Sequence, residues 1–175
     1  MQTYKISQAI SGEEFKFPPI IGLTGHKGVG KSTLANALGG EIISFATPIK
    51  KMLEVIIPKR YIYEDKEDQI IGFPEGVTGR KCLQSLGTEW GRAMYSDIWI
   101  NFAEIEIVEH QDEAKRQQLS GRIIIDDVRF ENECRMIRRL KGEVWRVIRN
   151  GVGNNDQHIS EAGLPDELIS KQIVI

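Results

Sequence analysis

Cysteine is scarce: Cys82 and Cys134 are the two in 175 residues, too few for a disulfide framework, and neither has a His or second Cys at zinc-ligand spacing. They read as reduced structural thiols, and the expected location is a reducing cytoplasm. No apolar run approaches the roughly 18 residues of a membrane span, and Met1 to Lys16 holds no apolar core of a signal peptide, so no membrane partner is expected. A cationic excess is missing too. Lys and Arg number 23 against 25 Asp and Glu, a net charge of −2, so the sequence-wide positive field that accompanies counterion-release binding is absent and no nucleic-acid partner is expected. Internal repeats and low-complexity tracts are also lacking. With 41% hydrophobic and 27% charged residues, the chain has the composition of a soluble globular protein, and its length suits one α/β domain.

Periodicity then orders the chain. Ile20-Ile21-Gly22-Leu23 is a short apolar run of the kind that forms a buried parallel strand, and a glycine-rich turn follows at once. A helix is predicted from Lys31 through Leu34, Ala35 and Leu38 to Gly39-Gly40, and a second strand over 41–45. Thr47 is the expected N-cap of a helix with Pro48 in its first turn, burying Ile49, Met52, Leu53 and Ile56 on one face before Pro58. Lys59 to Gly79 shows charge and turn signals without a period and reads as a long surface excursion. A helix over 80–86 is expected to stop at Gly87, and a longer one capped by Ser96 to bury Ile98, Phe102 and Ile105, with 111–118 a solvated end. Arg122 to Asp127 runs three β-branched apolar residues into two carboxylates. Phe130 to Leu140 follows as a helix with Cys134, Ile137 and Leu140 inward, Arg135, Arg138 and Arg139 outward and Gly142 as its stop. Strands at 143–148 and 173–175 close the chain, with a polar loop over 150–158 and a short helix capped by Ser160 between them.

Strands alternating with helices predict an α/β fold: a central parallel sheet of about five strands, flanked by helices on both faces, with ligands beyond the carboxyl ends of the strands. One domain over 1–175 is expected, its core 20–58 and 120–175 and a helical insertion over about 59–119.

The chemistry concentrates at two strand ends. Gly25-His26-Lys27-Gly28-Val29-Gly30-Lys31-Ser32 fits G-x-x-x-x-G-K-[ST], the P-loop pattern, with the required strand before and helix after. Its glycines allow backbone N–H groups to turn around phosphate oxygens, Lys31 suits the β- and γ-phosphates, Ser32 suits Mg²⁺, and Thr33 supports the helix start. Asp126-Asp127 is the candidate Walker B pair, and Arg129 suits charge developing on a transferred phosphoryl group. The plain alternatives are strand-end acids and a surface ion pair. Neither N-K-x-D nor D-x-x-G occurs, which argues against a GTPase switch. Within Arg80 to Arg92, two arginines suit a phosphate, Gln84 and Glu89 base edges, and Trp90 stacking.

Taken together, Gly22-Leu23-Thr24-Gly25 with the P-loop, Arg80-x-x-Leu83-Gln84-x-Leu86-Gly87-Thr88-Glu89-x-Gly91-Arg92, Asp97-x-Trp99, Asp127-Val128-Arg129-Phe130-x-Asn132-Glu133 and Asp156-x-His158-x-Ser160-Glu161 resemble the deoxynucleoside monophosphate kinases of bacteriophages. The resemblance covers most of the chain from Ile20. It implies a P-loop nucleoside monophosphate kinase that moves the ATP γ-phosphoryl group to a deoxynucleoside monophosphate with Mg²⁺, giving a diphosphate and ADP for DNA precursor synthesis in an infected cell. It further implies Arg80, Gln84, Thr88, Glu89, Arg92, Asp97 and Trp99 on the acceptor side, Phe45 and Lys50 near the same pocket, Asp127 and Arg129 in phosphoryl transfer, and Arg149 and Ser160-Glu161 near the donor nucleotide. The resemblance leaves monomer or homodimer open. The competing readings are a P-loop kinase for another small acceptor, such as dephospho-coenzyme A, and a nucleotide-binding module without turnover.

Overall fold

The computed structural model describes residues 2–11, 17–119, 121–149, 151, 158 and 163–175. The chain divides into two compact units, Met1–Ser44 with Ala103–Ile175, and Phe45–Phe102. The second unit begins and ends earlier than the 59–119 segment singled out from the sequence.

The first unit is built on a parallel sheet of six strands: β1 (Gln2–Lys5), β2 (Ile20–Thr24), β3 (Glu41–Ile43), β4 (Ile123–Ile125), β5 (Glu143–Ile148) and β6 (Lys171–Val174). Their order is β1-β6-β5-β2-β4-β3, the architecture of an α/β P-loop kinase. The additional strand is β1, a four-residue edge strand (Gln-Thr-Tyr-Lys) that pairs with β6 from Gln2↔Lys171 to Lys5↔Val174. It carries too little apolar content to announce itself as a strand.

Successive residues of a strand face opposite sides, and helices cover both. Helix α2 (Lys31–Leu38) follows α1 (Ile6–Ser11) in the chain and buries Leu34, Ala35 and Leu38. These residues pack with Ile21, Leu23, Ile124, Trp145, Val147 and Ile173 on one face of the sheet. On the other face, a Cβ at Gly22 would lie 2.5 Å from Ile137 Cδ1 and 2.9 Å from Val128 Cγ2. The helix over Glu131–Arg139, which carries Ile137, therefore rests directly on the β2 backbone. Its C-terminus departs from expectation. The left-handed residue is Lys141 (φ 61°), while Gly142 is needed because a Cβ there would meet Ile20 O at 2.7 Å; Leu140 is half-buried.

In the second unit, α3 (Thr47–Leu53) opens with Ala46 as N-cap, Thr47 already inside the helix and no side-chain cap bond. It stops before the predicted apolar face is complete. Ile49 and Leu53 are buried, but Met52 and Ile56 are 42% and 65% exposed. The chain turns through Ile57 N–H to Leu53 O (2.8 Å), and Ile57 takes the buried place expected of Ile56. The excursion after Pro58 contains α4 (Lys59–Tyr63), which buries Tyr61 and Ile62, and Ile70 is also fully buried. Helix α5 (Gly79–Gln84) is capped by the Thr78 hydroxyl accepting from Lys81 N–H (3.2 Å).

Gly87 does not end that helix. The chain continues as a π-helix over Ser85–Arg92 with Gly87 and Gly91 buried inside it. Helix α6 (Ile98–Arg116) contains the division between the two units. It buries Trp99, Ile100, Ala103 and Ile107, whereas the expected inward residues Phe102 and Ile105 are 52% and 58% exposed. Apolar residues fall on more than one side of this helix, so its pattern alone did not select the buried stripe. Helix α7 is the Glu131–Arg139 helix already met. Among the described residues, no helix is long and apolar enough to cross a membrane. The predicted 150–158 loop and the Ser160-capped helix fall largely outside the described residues.

Candidate active site

The central strand β2 has β4 on one side and β5 on the other, so chain connections diverge at its carboxyl end, where ligands bind in such sheets. The glycine-rich turn leaves from this point. Gly25 has φ 137° and so little space that a Cβ would approach Val147 O to 2.3 Å. Gly28 and Gly30 are left-handed, at φ 81° and 99°. Val29 between them is 1% exposed and pins the turn to the core. A short sequence of main-chain amides in this conformation forms an anion-binding concavity, and α2 begins beside it without a side-chain cap on its first amides. Lys31 Nζ donates to Gly25 O and, at 2.9 Å, to His26 O, which holds the ammonium across the turn. His26 is half-buried; Lys27, Ser32 and Thr33 are exposed. Ile175 closes in from β6: its Cδ1 lies 3.0 Å from where a Cβ at Gly30 would stand.

The carboxylates follow β4. Val128 N–H donates to Leu23 O (3.1 Å), fastening the segment after β4 to the end of β2. Asp127 Oδ2 accepts from Ser44 Oγ at 2.6 Å, with Ser44 arriving just past β3. The next turn is tied by Glu133, 2% exposed, whose Oε2 accepts from Arg129 N–H (2.6 Å) and Phe130 N–H (2.9 Å). Such a carboxylate in the first turn of α7 satisfies two otherwise orphaned amides and fixes the backbone that carries Arg129. Asp126 and Arg129 are half-buried, and Arg149 is exposed just beyond the carboxyl end of β5. Ser160 and Glu161 lie outside the described residues.

The remaining candidates belong to the second unit. Arg80 is held by Glu67 (Nε to Oε1, 3.1 Å), and its amide donates to Lys66 O (2.7 Å). Gly79 before it is obligatory: a Cβ there would lie 1.7 Å from Tyr61 O. Ser85 Oγ bonds the Glu89 carboxylate, Arg92 Nη1 donates to Ser96 O (2.9 Å), and Ser96 Oγ donates to Asp97 Oδ1 (3.2 Å). Gln84, Thr88, Arg92 and Asp97 are half-buried, and Glu89 and Trp90 exposed. Lys50 sits 5.5 Å from the Tyr63 ring centroid. Phe45 and Trp99 are different in kind, 3% and 2% exposed; they are built into the unit rather than displayed by it. Burial pushes the Cys82 thiol up from its ordinary value and the Cys134 thiol up to about 12, so neither supplies a ready thiolate.

A family model described as deoxynucleotide monophosphate kinase matches residues 57–175. The chain belongs to this kinase family. Its sequence is also 31% identical over 157 residues to a protein of Acanthamoeba polyphaga mimivirus named "Putative deoxynucleotide monophosphate kinase", a match covering 83% of this chain and 81% of that one. The family assignment makes the chain a phosphotransferase, and its matched span takes in the π-helix, the β4 carboxylates and β5 while leaving the P-loop outside. That loop supports the assignment independently, by pattern and by backbone conformation.

Among the described residues, no three His, Cys, Asp or Glu side chains form a metal-binding cluster. The kinase family implies Mg²⁺. An exposed Ser32 hydroxyl and the Asp127 carboxylate fit it as a small donor set of hard oxygens, because this ion keeps several waters and takes the rest of its shell from phosphates. Four further residues, Ser44, Glu133, Tyr61 and Gly79, brace the segments that carry the candidate residues. Ser44 and Glu133 act through single polar contacts that only the folded chain creates; Glu133, within a recognised motif, had no role attached to it. Tyr61 and Gly79 form one backbone contact, and the Thr-Gly-Arg run at 78–80 was its available signal.

Proposed function

We propose that this chain transfers the γ-phosphoryl group of ATP to a deoxynucleoside monophosphate, giving the diphosphate and ADP for DNA synthesis in an ATP-containing cytoplasm. The observation carrying this reading is the left-handed Gly28 and Gly30 backbone with Lys31 spanning it, at the carboxyl end of β2. Residues 25–33 take the donor phosphates. Lys31 follows the β- and γ-phosphate oxygens, Ser32 and Asp127 would hold Mg²⁺, whose charge would offset that of the phosphates, and Arg129 and Arg149 face the donor side. Arg80 and Arg92 grip the acceptor phosphate, Gln84, Thr88, Glu89 and Asp97 address its sugar and base, Trp90 offers a stacking face, and Lys50 completes that side, with the buried Phe45 in the packing of the same unit.

An acceptor phosphate oxygen attacks the γ-phosphorus while the bond to the β–γ bridging oxygen breaks and ADP departs with that electron pair. The chain's work is positioning and charge stabilisation: Lys31 and Arg129 are worth most where negative charge spreads over the transferring oxygens. Coupled ADP release with each of the four deoxynucleoside monophosphates tests the reading, with dephospho-coenzyme A and water as control acceptors. At least one deoxynucleotide should exceed both controls by orders of magnitude. Turnover with the coenzyme precursor alone, or ATP binding without turnover, would reject it.

A further inference from the structure

Between α5 and α6 the chain does something uncommon. A π-helix is ordinarily a single turn inserted in an α-helix, often at a functional site, yet here it runs eight residues, Ser85–Arg92. Wide helices pack poorly along their own axis, so a long one needs an external hold. Trp99 supplies it. Its indole Nε1–H donates to Gly87 O at 2.6 Å, and its ring lies where a side chain at Gly91 would have to go: a Cβ there would stand 2.3 Å from Cζ2 and 2.8 Å from Cε2. Gly87 and Gly91, four residues apart and both buried, are the side of the π-helix turned to Trp99. The other sides carry the half-buried Thr88 and Arg92, in line with Gln84 at the same spacing.

We propose that Trp99 is a positioning residue, locking residues 85–92 in the wide register and thereby setting the directions of Thr88 and Arg92, relative to Gln84 at the end of α5, toward the acceptor nucleotide. The inference rests on the acceptor-side reading above and gives Trp99 a different part from the one the resemblance implies: the indole acts on the helix, not on the nucleotide. Rewinding these eight residues at the α-helical 3.6 per turn would rotate Arg92 relative to Gln84 by well over a quarter turn. Binding groups would still be present in number but would no longer converge.

Steady-state kinetics of W99F, which removes the indole N–H and keeps an aromatic ring, test this beside R80A. Thermal melting and circular dichroism serve as controls for folding. W99F should raise the acceptor KM about five- to tenfold, the size of one lost hydrogen bond, with the ATP KM within twofold of wild type. G91A should do the same while retaining the N–H, because its methyl displaces the ring; if W99F does not fold, G91A carries the test. At an uncrowded helix position Gly→Ala would stabilise, so an acceptor-specific loss in G91A ties the effect to the contact between Gly91 and the Trp99 ring. A rise in acceptor KM for R80A but for neither Trp99 nor Gly91 variant overturns the lock and leaves the functional reading standing. No acceptor effect in any of the three removes the acceptor-side reading and the lock with it. Equal increases in both KM values for W99F and G91A reduce Trp99 to general stability and overturn the proposal.

Discussion

The turn after β2 and the helical segment over 79–99, to which the proposed function gives the donor and the acceptor nucleotide, present their polar groups by opposite means. Around Gly25 to Ser32 the presenting atoms are main-chain amides, their directions set by the positive φ of Gly28 and Gly30 and by the anchoring of Val29 in the core. Over 79–99 the presenting atoms are side chains, and their directions depend on a helix held wide by Trp99 and on an α5 start pressed against Tyr61. The first arrangement is local and self-contained. The second is assembled from residues far apart in the chain, such as Tyr61 against Gly79 and Ile49 against Gly87. A backbone site of the first kind depends on residue identity at its glycines, at the buried Val29 and at Lys31 alone; a side-chain site of the second kind is tunable but depends on every support beneath it.

Substitutions can sharpen that contrast. Lys31→Ala should have the largest effect, lowering kcat by roughly a hundredfold to a thousandfold, as losing one preorganised charge at a transferring group does; single-turnover rates check this. Retention of more than a tenth of the wild-type rate would mean that the amides alone suffice. Next, Arg80→Ala should raise the acceptor KM roughly ten- to a hundredfold, in keeping with about 1.5–3 kcal/mol for a charged hydrogen bond, and leave the ATP KM unchanged. Equal changes in both constants would erase the distinction between the two regions.

Two glycine variants compare the regions in stability. Gly79→Ala forces a methyl onto Tyr61 O and should cost about 1–3 kcal/mol or more in denaturant titration. Gly28→Ala meets nothing within 4 Å and should cost only the left-handed backbone strain, about 1–2 kcal/mol. If Gly28→Ala proved the more destabilising, the self-contained character of the turn would be refuted. The smallest effect concerns pH. The Cys134 thiol, raised to about 12 by burial, is above its value in an unfolded chain. Its contribution is therefore fully present below about pH 8.5 and lost as pH rises toward 12. Cys134→Ala or →Ser should flatten the alkaline slope of stability, and Cys134 should resist alkylation until the chain unfolds.

The same contrast explains what could be seen in advance. The β2–turn–α2 unit, the strand-end position of Asp126 and Asp127, and Cys134 and Ile137 on the buried face of α7 were legible because glycine spacing, a β-branched run and a helical period are local properties. The register of residues 85–92 was not. Gly87 resembles a helix stop in one dimension, and only the folded chain brings the Trp99 indole, twelve residues later, onto its carbonyl. Met52 and Ile56 matched a helical face that the chain leaves after Leu53. Phe102 and Ile105 lost to Ala103 and Ile107 on a helix with apolar residues on several sides. Edge strand β1 is held by main-chain pairing to β6, an interaction that residue identity barely records.

Ile175 has a practical bearing on how the protein is handled. Its side chain reaches the neighbourhood of Gly30, and its amide donates to Ile148 O at 3.0 Å. An affinity tag joined after residue 175 therefore emerges beside Gly30, at the turn proposed above for the donor phosphates. Kinetic constants measured with a carboxyl-terminal fusion should be compared with those of the cleaved protein before any difference in nucleotide affinity is credited to a mutation.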